Sequence, residues 1–245
     1  FDEKQIALAE RNSGRMWYNA FTYYESTYLT EPLAIERKIE AFLGDVPIPF
    51  VGYLDFEYKN ARIVKLDNIC QYNKYFNKQY GILELLEREI ITENFWFHDF
   101  DDWQVGEMVF PHFHGDIGMG KYINAQQWNT GSIFVKPSSV DIWRLIVDFM
   151  DENKKHPQVD NKGDENIVNL VYGLYRNIQN RFSLLNNQYN VGCTQFEMRY
   201  KNAIKPIIVA AFKPDEEKNV QKFINKGIVD KPLLNIFKKH NIGVK

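Results

Sequence analysis

Apolar residues recur along this chain with two periods, and the changes of period mark its elements. Asn73 to Ile91 carries Tyr75, Ile82, Leu85, Leu86 and Ile90 on or near one face, the spacing of an amphipathic helix. It feeds into Asn94–Gln104, where the run Phe95-Trp96-Phe97 ends in acids. Aromatic residues at that density favour a buried strand. Upstream, Ile48 to Phe56 and Ala61 to Leu66 read as two strands, after a break at Gly44-Asp45-Val46-Pro47. Asp2 to about Phe42 reads mostly as helix, with helical spacing clearest from Leu33 to Phe42. Met108 to Lys121 reads as a loop, punctuated by Pro111, Gly115, Gly118 and Gly120. Trp128 to Val135 is a turn running into a strand. Val140 to Lys155 is a helix with Ile142, Leu145, Ile146 and Phe149 on its apolar face. A polar loop, His156 to Gly163, precedes a helix from Asp164 to Tyr175 that opens on an N-cap-like acid. Leu184 to Tyr189 and Pro206 to Phe212 read as strands, and Asp215 to Lys239 as an amphipathic helix broken at Gly227 and Pro232.

Two strands, a helix and a strand ending in acids form the front half of a nucleotide-binding α/β sheet. Ligands of such sheets sit beyond the carboxyl ends of the strands. No repeat, low-complexity tract or domain boundary interrupts residues 1–245, so one domain is expected. With 245 residues, 44% of them hydrophobic, the chain can bury a sizeable core. A net charge of −2 supplies no global positive field, which disfavours nonspecific nucleic-acid binding. Cys70 and Cys193 match no zinc or redox spacing and exclude a disulfide framework, so a reducing, cytoplasmic setting is expected. No apolar run is long enough to span a bilayer, and no signal peptide is visible. The chain opens at Phe1 without Met, as a domain trimmed from a longer protein would.

The chemistry is concentrated in Asp99, Asp101 and Asp102, at the end of the aromatic strand. Carboxylates a few ångströms apart raise each other's pKa unless a cation neutralises them. Hard oxygen ligands of this kind suit Mg²⁺ or Mn²⁺, which bind through one or two carboxylates together with substrate phosphates. Aspartates after a strand also serve as caps and turns, and that structural role competes with the metal reading. Tyr18, Tyr23, Tyr24 and Tyr28 suit an amphipathic helix that packs its tyrosines, with stacking on a base or sugar as the alternative. Trp103 and Trp128 flank the proposed site and suit either a sugar platform or the core. Lys154-Lys155-His156 is a solvated helix end.

Four features stand in order along the chain. The acids follow a strand. Asp116-Ile117-Gly118-Met119 comes next, then Asn129-Thr130-Gly131 leading into Ser132–Val135, then Asp164-Glu165 opening a helix, with Leu185-Asn186-Asn187-Gln188-Tyr189-Asn190 after it. This order resembles the GT-A-fold, nucleotide-sugar-dependent glycosyltransferases of the Asp-x-Asp type, over roughly Ile48 to Pro214. The resemblance implies an α/β fold with a mixed, mainly parallel sheet flanked by helices. It also implies transfer of a sugar from a nucleoside-diphosphate sugar to a glycan or other hydroxyl acceptor, assisted by Mn²⁺ or Mg²⁺. On that resemblance Asp99 faces the nucleotide ribose or a metal-bound water, and Asp101 ligates the ion. Asp102 can substitute for either. Asn129 and Gly131 present backbone to the donor or acceptor sugar. Asp164 and Glu165 lie near the acceptor hydroxyl, as general base in an inverting enzyme or as orienting groups in a retaining one.

The chain departs from the family pattern at one place. Many relatives carry a late metal-binding His on a strand followed by Lys-Pro, and the matching stretch here is Val209-Ala210-Ala211-Phe212-Lys213-Pro214. His112 and His114 are candidate replacements, if their glycine loop closes over the site as a mobile segment. Lys213 suits a phosphate contact or an ordinary surface position. Two other classes use similar residues: a metal-dependent nucleotidyl or phosphoryl transferase, and a non-catalytic glycosyltransferase-like binding domain.

Overall fold

The aromatic run after Asn94 is a strand, and the sheet is built outward from it. In a computed structural model the described residues are 20–23, 50–52, 63–65, 70, 72–98, 102–104, 110–122, 126–156, 159, 163–192, 206–210, 216–229, 231, 234, 235 and 238. The strands are β1 (Ala20–Tyr23), β2 (Phe50–Gly52), β3 (Ile63–Lys65), β4 (Phe95–His98), β5 (Asp102–Gln104), β6 (Ile117–Lys121), β7 (Trp128–Val135), β8 (Phe182–Leu184), β9 (Val191–Gly192) and β10 (Ile208–Ala210). The helices are α1 (Asn77–Glu87), α2 (Val140–Glu152), α3 (Asp164–Leu174) and α4 (Glu216–Asn225).

Seven strands form one sheet in the order β3-β2-β1-β4-β7-β6-β8. The first four are parallel. β7 runs against both β4 and β6, and β8 is parallel to β6. A second sheet, β5-β10-β9, pairs β10 antiparallel to β5 and parallel to β9. The result is the mixed, mainly parallel sheet with helices that the resemblance implies.

β4 is buried on both faces, which accounts for its unbroken aromatic run. Phe95 and Phe97 join Ile117, Met119, Ile133 and Val135 in the core beneath the helices. That core is closed by Ile82, Leu85 and Leu86 of α1, Ile142, Trp143 and Ile146 of α2, and Ile167, Val168 and Val171 of α3. Trp96 points the other way, stacks on Phe134 at 6.1 Å and donates from Nε1 to Ser132 Oγ at 2.8 Å. Each such buried aromatic contributes about 2–3 kcal/mol of burial free energy. α4 ends where Gly227 takes φ +67° and Ile228 N donates back to Phe223 O, the left-handed cap that glycine allows.

Three expectations from the sequence are corrected. Ala20–Tyr23, within the segment read as helix, is a strand seated between β2 and β4. Three residues of good strand propensity there, Phe21, Thr22 and Tyr23, are claimed with Ala20 by two neighbours, which outweighs local helical spacing. Of the four tyrosines assigned to a helix, only Tyr23 is described, and it lies on this strand. Ile117–Lys121, read as the end of a glycine loop, is also a strand. Ile117 and Met119 alternate into the core, and glycines fill the opposite face because it is covered. A Cβ at Gly118 would meet Leu185 Cδ2 and Phe113 Cε1 at 3.0 Å. Leu184–Tyr189 is not a strand throughout: β8 ends at Leu184 and Asn187–Tyr189 is a 3₁₀ turn, in keeping with the Asn-rich tract.

Candidate active site

Because β1 to β4 run in one direction, Tyr23, Gly52, Lys65 and His98 mark a shared carboxyl edge. β7 runs the opposite way and starts at that edge. Its register on β4 is regular from Phe95↔Val135 to His98↔Ser132. Its register on β6 breaks between Met119↔Ile133 and Gly120↔Asn129, so Thr130, Gly131 and Ser132 have no counterpart on β6. Bulges of this kind re-aim side chains and gather at functional sites. This one projects the Asn129-Thr130-Gly131 segment beside the carboxyl end of β4 at His98.

Polar side chains converge on that bulge. Asn129 Oδ1 accepts from Gly131 N at 3.0 Å and from Asn190 Nδ2 at 2.5 Å. Asn129 Nδ2 donates to the Tyr122 hydroxyl at 2.6 Å, and that hydroxyl donates to Glu165 Oε2 at 3.1 Å. Thr130 Oγ1 donates to Asp164 Oδ2 at 2.6 Å. Lys78, from the first turn of α1, pairs with the same oxygen at 2.8 Å and donates to Thr130 O at 3.1 Å. The Lys78 and Asp164 side chains are 5% and 20% exposed. Burial pushes the Asp164 carboxyl up, but the Lys78 ammonium and hydrogen bonds from Lys78 and Thr130 outweigh it and hold it below the usual carboxylate range.

Asp164 is the first residue of α3, and the cap position belongs to Gly163, which corrects its assignment as an N-cap. Asn169, a little over one turn further on, fixes α3 to β7. Its Oδ1 accepts from Trp128 N at 2.7 Å, and its Nδ2 donates to Trp128 O at 2.9 Å and Glu165 O at 2.8 Å. Trp128 is 3% exposed and packs on Tyr172 and Phe182, so it is core and not a sugar platform.

Of the residues singled out in the sequence, Asn129, Gly131, Asp164 and Glu165 are therefore brought together at the carboxyl edge. Asp99 and Asp101 lie outside the described residues, as do Ala211 to Pro214. Asp102 opens β5 opposite Ala210, and its side chain lies outside the description, as does that of Trp103. Among the described residues no three His, Cys, Asp or Glu side chains converge as a metal site requires. His112 and His114 are exposed, with ring centroids 6.0 Å apart. The segment carrying them enters β6 at Ile117, opposite Val135, the far edge of the sheet. Asn129 lies six residues away along β7, about 20 Å at strand rise. Phe113 is buried and its carbonyl accepts from Lys136 Nζ at 2.8 Å, while a Cβ at Gly115 would lie 2.3 Å from Arg181 O. A loop anchored this way is not a glycine-hinged lid, and the expectation of a mobile covering segment is corrected accordingly.

No protein-family model matches the chain, and no curated protein does. Solved structures do. The bifunctional glycosyltransferase WbbM aligns over 97% of this chain and 50% of its own, at 15% identity and a TM-score of 0.55. The chain has a GT-A glycosyltransferase fold. Also similar are a glycosyltransferase involved in glycosylation of the major capsid of PBCV-1 and the galactosyltransferase LgtC in complex with donor and acceptor sugar analogues. The first aligns over 82% of this chain and 96% of its own, at 13% identity and a TM-score of 0.49. The second aligns over 89% and 99%, at 13% identity and a TM-score of 0.47. This chain spans half the length of WbbM. Among the described residues no helix is long and apolar enough to cross a membrane.

Lys78, Tyr122, Thr130 and Asn190 were not assigned site roles from sequence. Lys78 carried a usable signal: it falls one turn before Ile82, on the stripe that α1 buries, where a charge requires a partner.

Proposed function

We propose that this chain transfers a sugar from a nucleoside-diphosphate sugar to a hydroxyl acceptor, with Mn²⁺ or Mg²⁺ at the diphosphate. The observation that supports it best is the meeting, at the carboxyl edge of a GT-A sheet, of Asn129, Gly131, Asp164 and Glu165 with the strand that leads into the acids. Asp99, Asp101 and Asp102 would hold the ion, and hard carboxylate oxygens are the donor set that these cations take. When bound, the ion offsets charge on the departing nucleoside diphosphate.

The chain's own residues then divide the work. Asn129 and Gly131 line the sugar side of the bulge. Asp164, kept ionised by Lys78 and Thr130, is a weak proton acceptor and a good partner for sugar hydroxyls. Glu165 is the group for the acceptor. In an inverting reaction it takes the acceptor proton as the sugar–phosphate bond breaks, and in a retaining one it orients the nucleophile.

The reading is tested by a thermal-shift screen of nucleoside diphosphates with and without Mn²⁺, followed by product analysis with the matching sugar donors. At a ligand concentration 100 times Kd the right base adds about 2.7 kcal/mol of stability. Release of free nucleoside diphosphate with a glycoside is the expected outcome. Pyrophosphate with a nucleotide adduct would show a nucleotidyl transferase instead.

A further inference from the structure

We propose that Tyr122 is a positioning residue that fixes the orientation of Glu165 and favours its ionised form, an inference that rests on the glycosyl-transfer reading above. The argument begins at a group whose polarity admits no choice. Gly131 N–H can only donate, so the Asn129 atom facing it at 3.0 Å is the carbonyl oxygen. The amide nitrogen of Asn129 is then the atom 2.6 Å from the Tyr122 hydroxyl, and it must donate to it. The phenolic proton is left to point at Glu165 Oε2, 3.1 Å away, and that oxygen must accept. A backbone N–H thus dictates, through two side chains, that Glu165 Oε2 accepts a hydrogen bond, and a donor aimed at that oxygen favours the carboxylate.

The tyrosine is itself held. Its N–H donates to Gln127 O at 2.8 Å and its carbonyl accepts from Gln126 N at 3.2 Å, closing the β6–β7 hairpin. The ring therefore reaches from a fixed backbone to α3, and the carboxylate it touches is attached to the Asn169 clamp through Glu165 O. Orientation by a fixed donor is what a proton-accepting or hydroxyl-orienting carboxylate requires. The hydroxyl does not touch the sugar or the diphosphate in this assignment; it acts through Glu165.

The experiment compares wild type, Tyr122→Phe, Glu165→Gln and the double variant with the donor found by the screen. Tyr122→Phe keeps the ring and removes only the oxygen. Its kcat should fall about 10- to 100-fold with donor KM unchanged, the range expected for losing a hydrogen bond to a charged group. The acid limb of its pH profile should move to higher pH, because the ionised carboxylate loses a donor. In the Glu165→Gln background the second change should cost nothing further. Independently of turnover, a ¹³C-carboxylate NMR titration should show Glu165 protonating at higher pH in Tyr122→Phe. A folded Tyr122→Phe variant with wild-type kcat and pH profile, or effects that multiply with those of Glu165→Gln, overturns the inference and leaves the transfer reading standing. A wild type without turnover on any donor sinks the transfer reading instead. The titration then still decides whether Tyr122 sets the state of Glu165, and an unmoved Glu165 overturns that too.

Discussion

Replacing Asp164 with Asn separates two roles that look alike in sequence. Its Oδ2 lies 2.8 Å from Lys78 Nζ, in a pair whose side chains are 20% and 5% exposed. At an effective dielectric of 20 the bare attraction is about 6 kcal/mol. Desolvation of two ions offsets most of that, so the pair as a whole adds little to stability. Removing one member is different, because the buried Lys78 ammonium loses the carboxylate charge at 2.8 Å while it still donates to the Thr130 carbonyl. Breaking a buried pair costs about 3–5 kcal/mol, and the amide's remaining hydrogen bond and the partial exposure of Asp164 bring the expectation to about 2–3 kcal/mol. A residue that only caps α3 predicts almost no change, since Asn caps as well as Asp. Urea unfolding at pH 7, followed by tryptophan fluorescence and circular dichroism, measures the difference as a shift of midpoint at constant slope. The sign of its pH dependence is fixed as well. The folded-state pKa of Asp164 is depressed, so its contribution is complete above the unfolded value and lost as pH falls through the folded one. The gap between wild type and Asp164→Asn should be full at pH 7 and close below about pH 4. A gap under about 0.5 kcal/mol at pH 7, the scatter of ordinary surface changes, would refute the buried-pair argument.

Two further expectations concern the ion and the α3 clamp. Asp101→Ala should abolish the Mn²⁺-dependent part of nucleoside-diphosphate stabilisation in a thermal-shift assay without lowering the melting temperature of the free protein, because relieving repulsion between acids seldom destabilises a fold; unchanged metal dependence would remove Asp101 from the site. Asn169→Ala deletes three hydrogen bonds to the Trp128 and Glu165 backbone, so it should lower the melting temperature by about 5–10 °C and reduce kcat; a shift below about 1 °C would show that the helix is held by its apolar face alone.

How much of this was legible in the sequence follows from where the periodicity is carried. α1, α2 and α3 were readable because their apolar stripes face one core. β4 was readable because both of its faces are covered, so its aromatics run without interruption. β6 was not, because its strand pattern is written half in glycine. Ile117 and Met119 supply one face, and the other is empty side-chain space that Phe113 and Leu185 fill from elsewhere in the chain. A glycine required by a neighbour's bulk looks, in one sequence, like a glycine required by a turn. β1 failed for the opposite reason, since its partners β2 and β4 are supplied by distant sequence.

The site shows the same division, and it explains which residues a motif can and cannot reveal. Asn129, Gly131, Asp164 and Glu165 sit at element starts, where a polar residue interrupts an apolar pattern and draws attention. Lys78 and Tyr122 lie inside patterns that already have an explanation, one in a helix and the other at a hairpin, so no motif marks them, and the one local signal is the charge of Lys78 on a buried stripe, which calls for a partner without saying which. Their significance appears only when α1, β6, β7 and α3 are brought to one edge. The pairing of Lys78 with Asp164 then joins the first helix to the third across Thr130. Every member of that junction is buried or half-buried and hydrogen-bonded, and a buried polar cluster is tolerated only when it is satisfied in this way. The same requirement makes it stiff: a shift of α1 relative to α3 would strand a charge. The acids of α3 are therefore held at the bulge by the energetic cost of moving them, and a carboxylate that must meet a sugar hydroxyl gains its aim from contacts that belong to the fold.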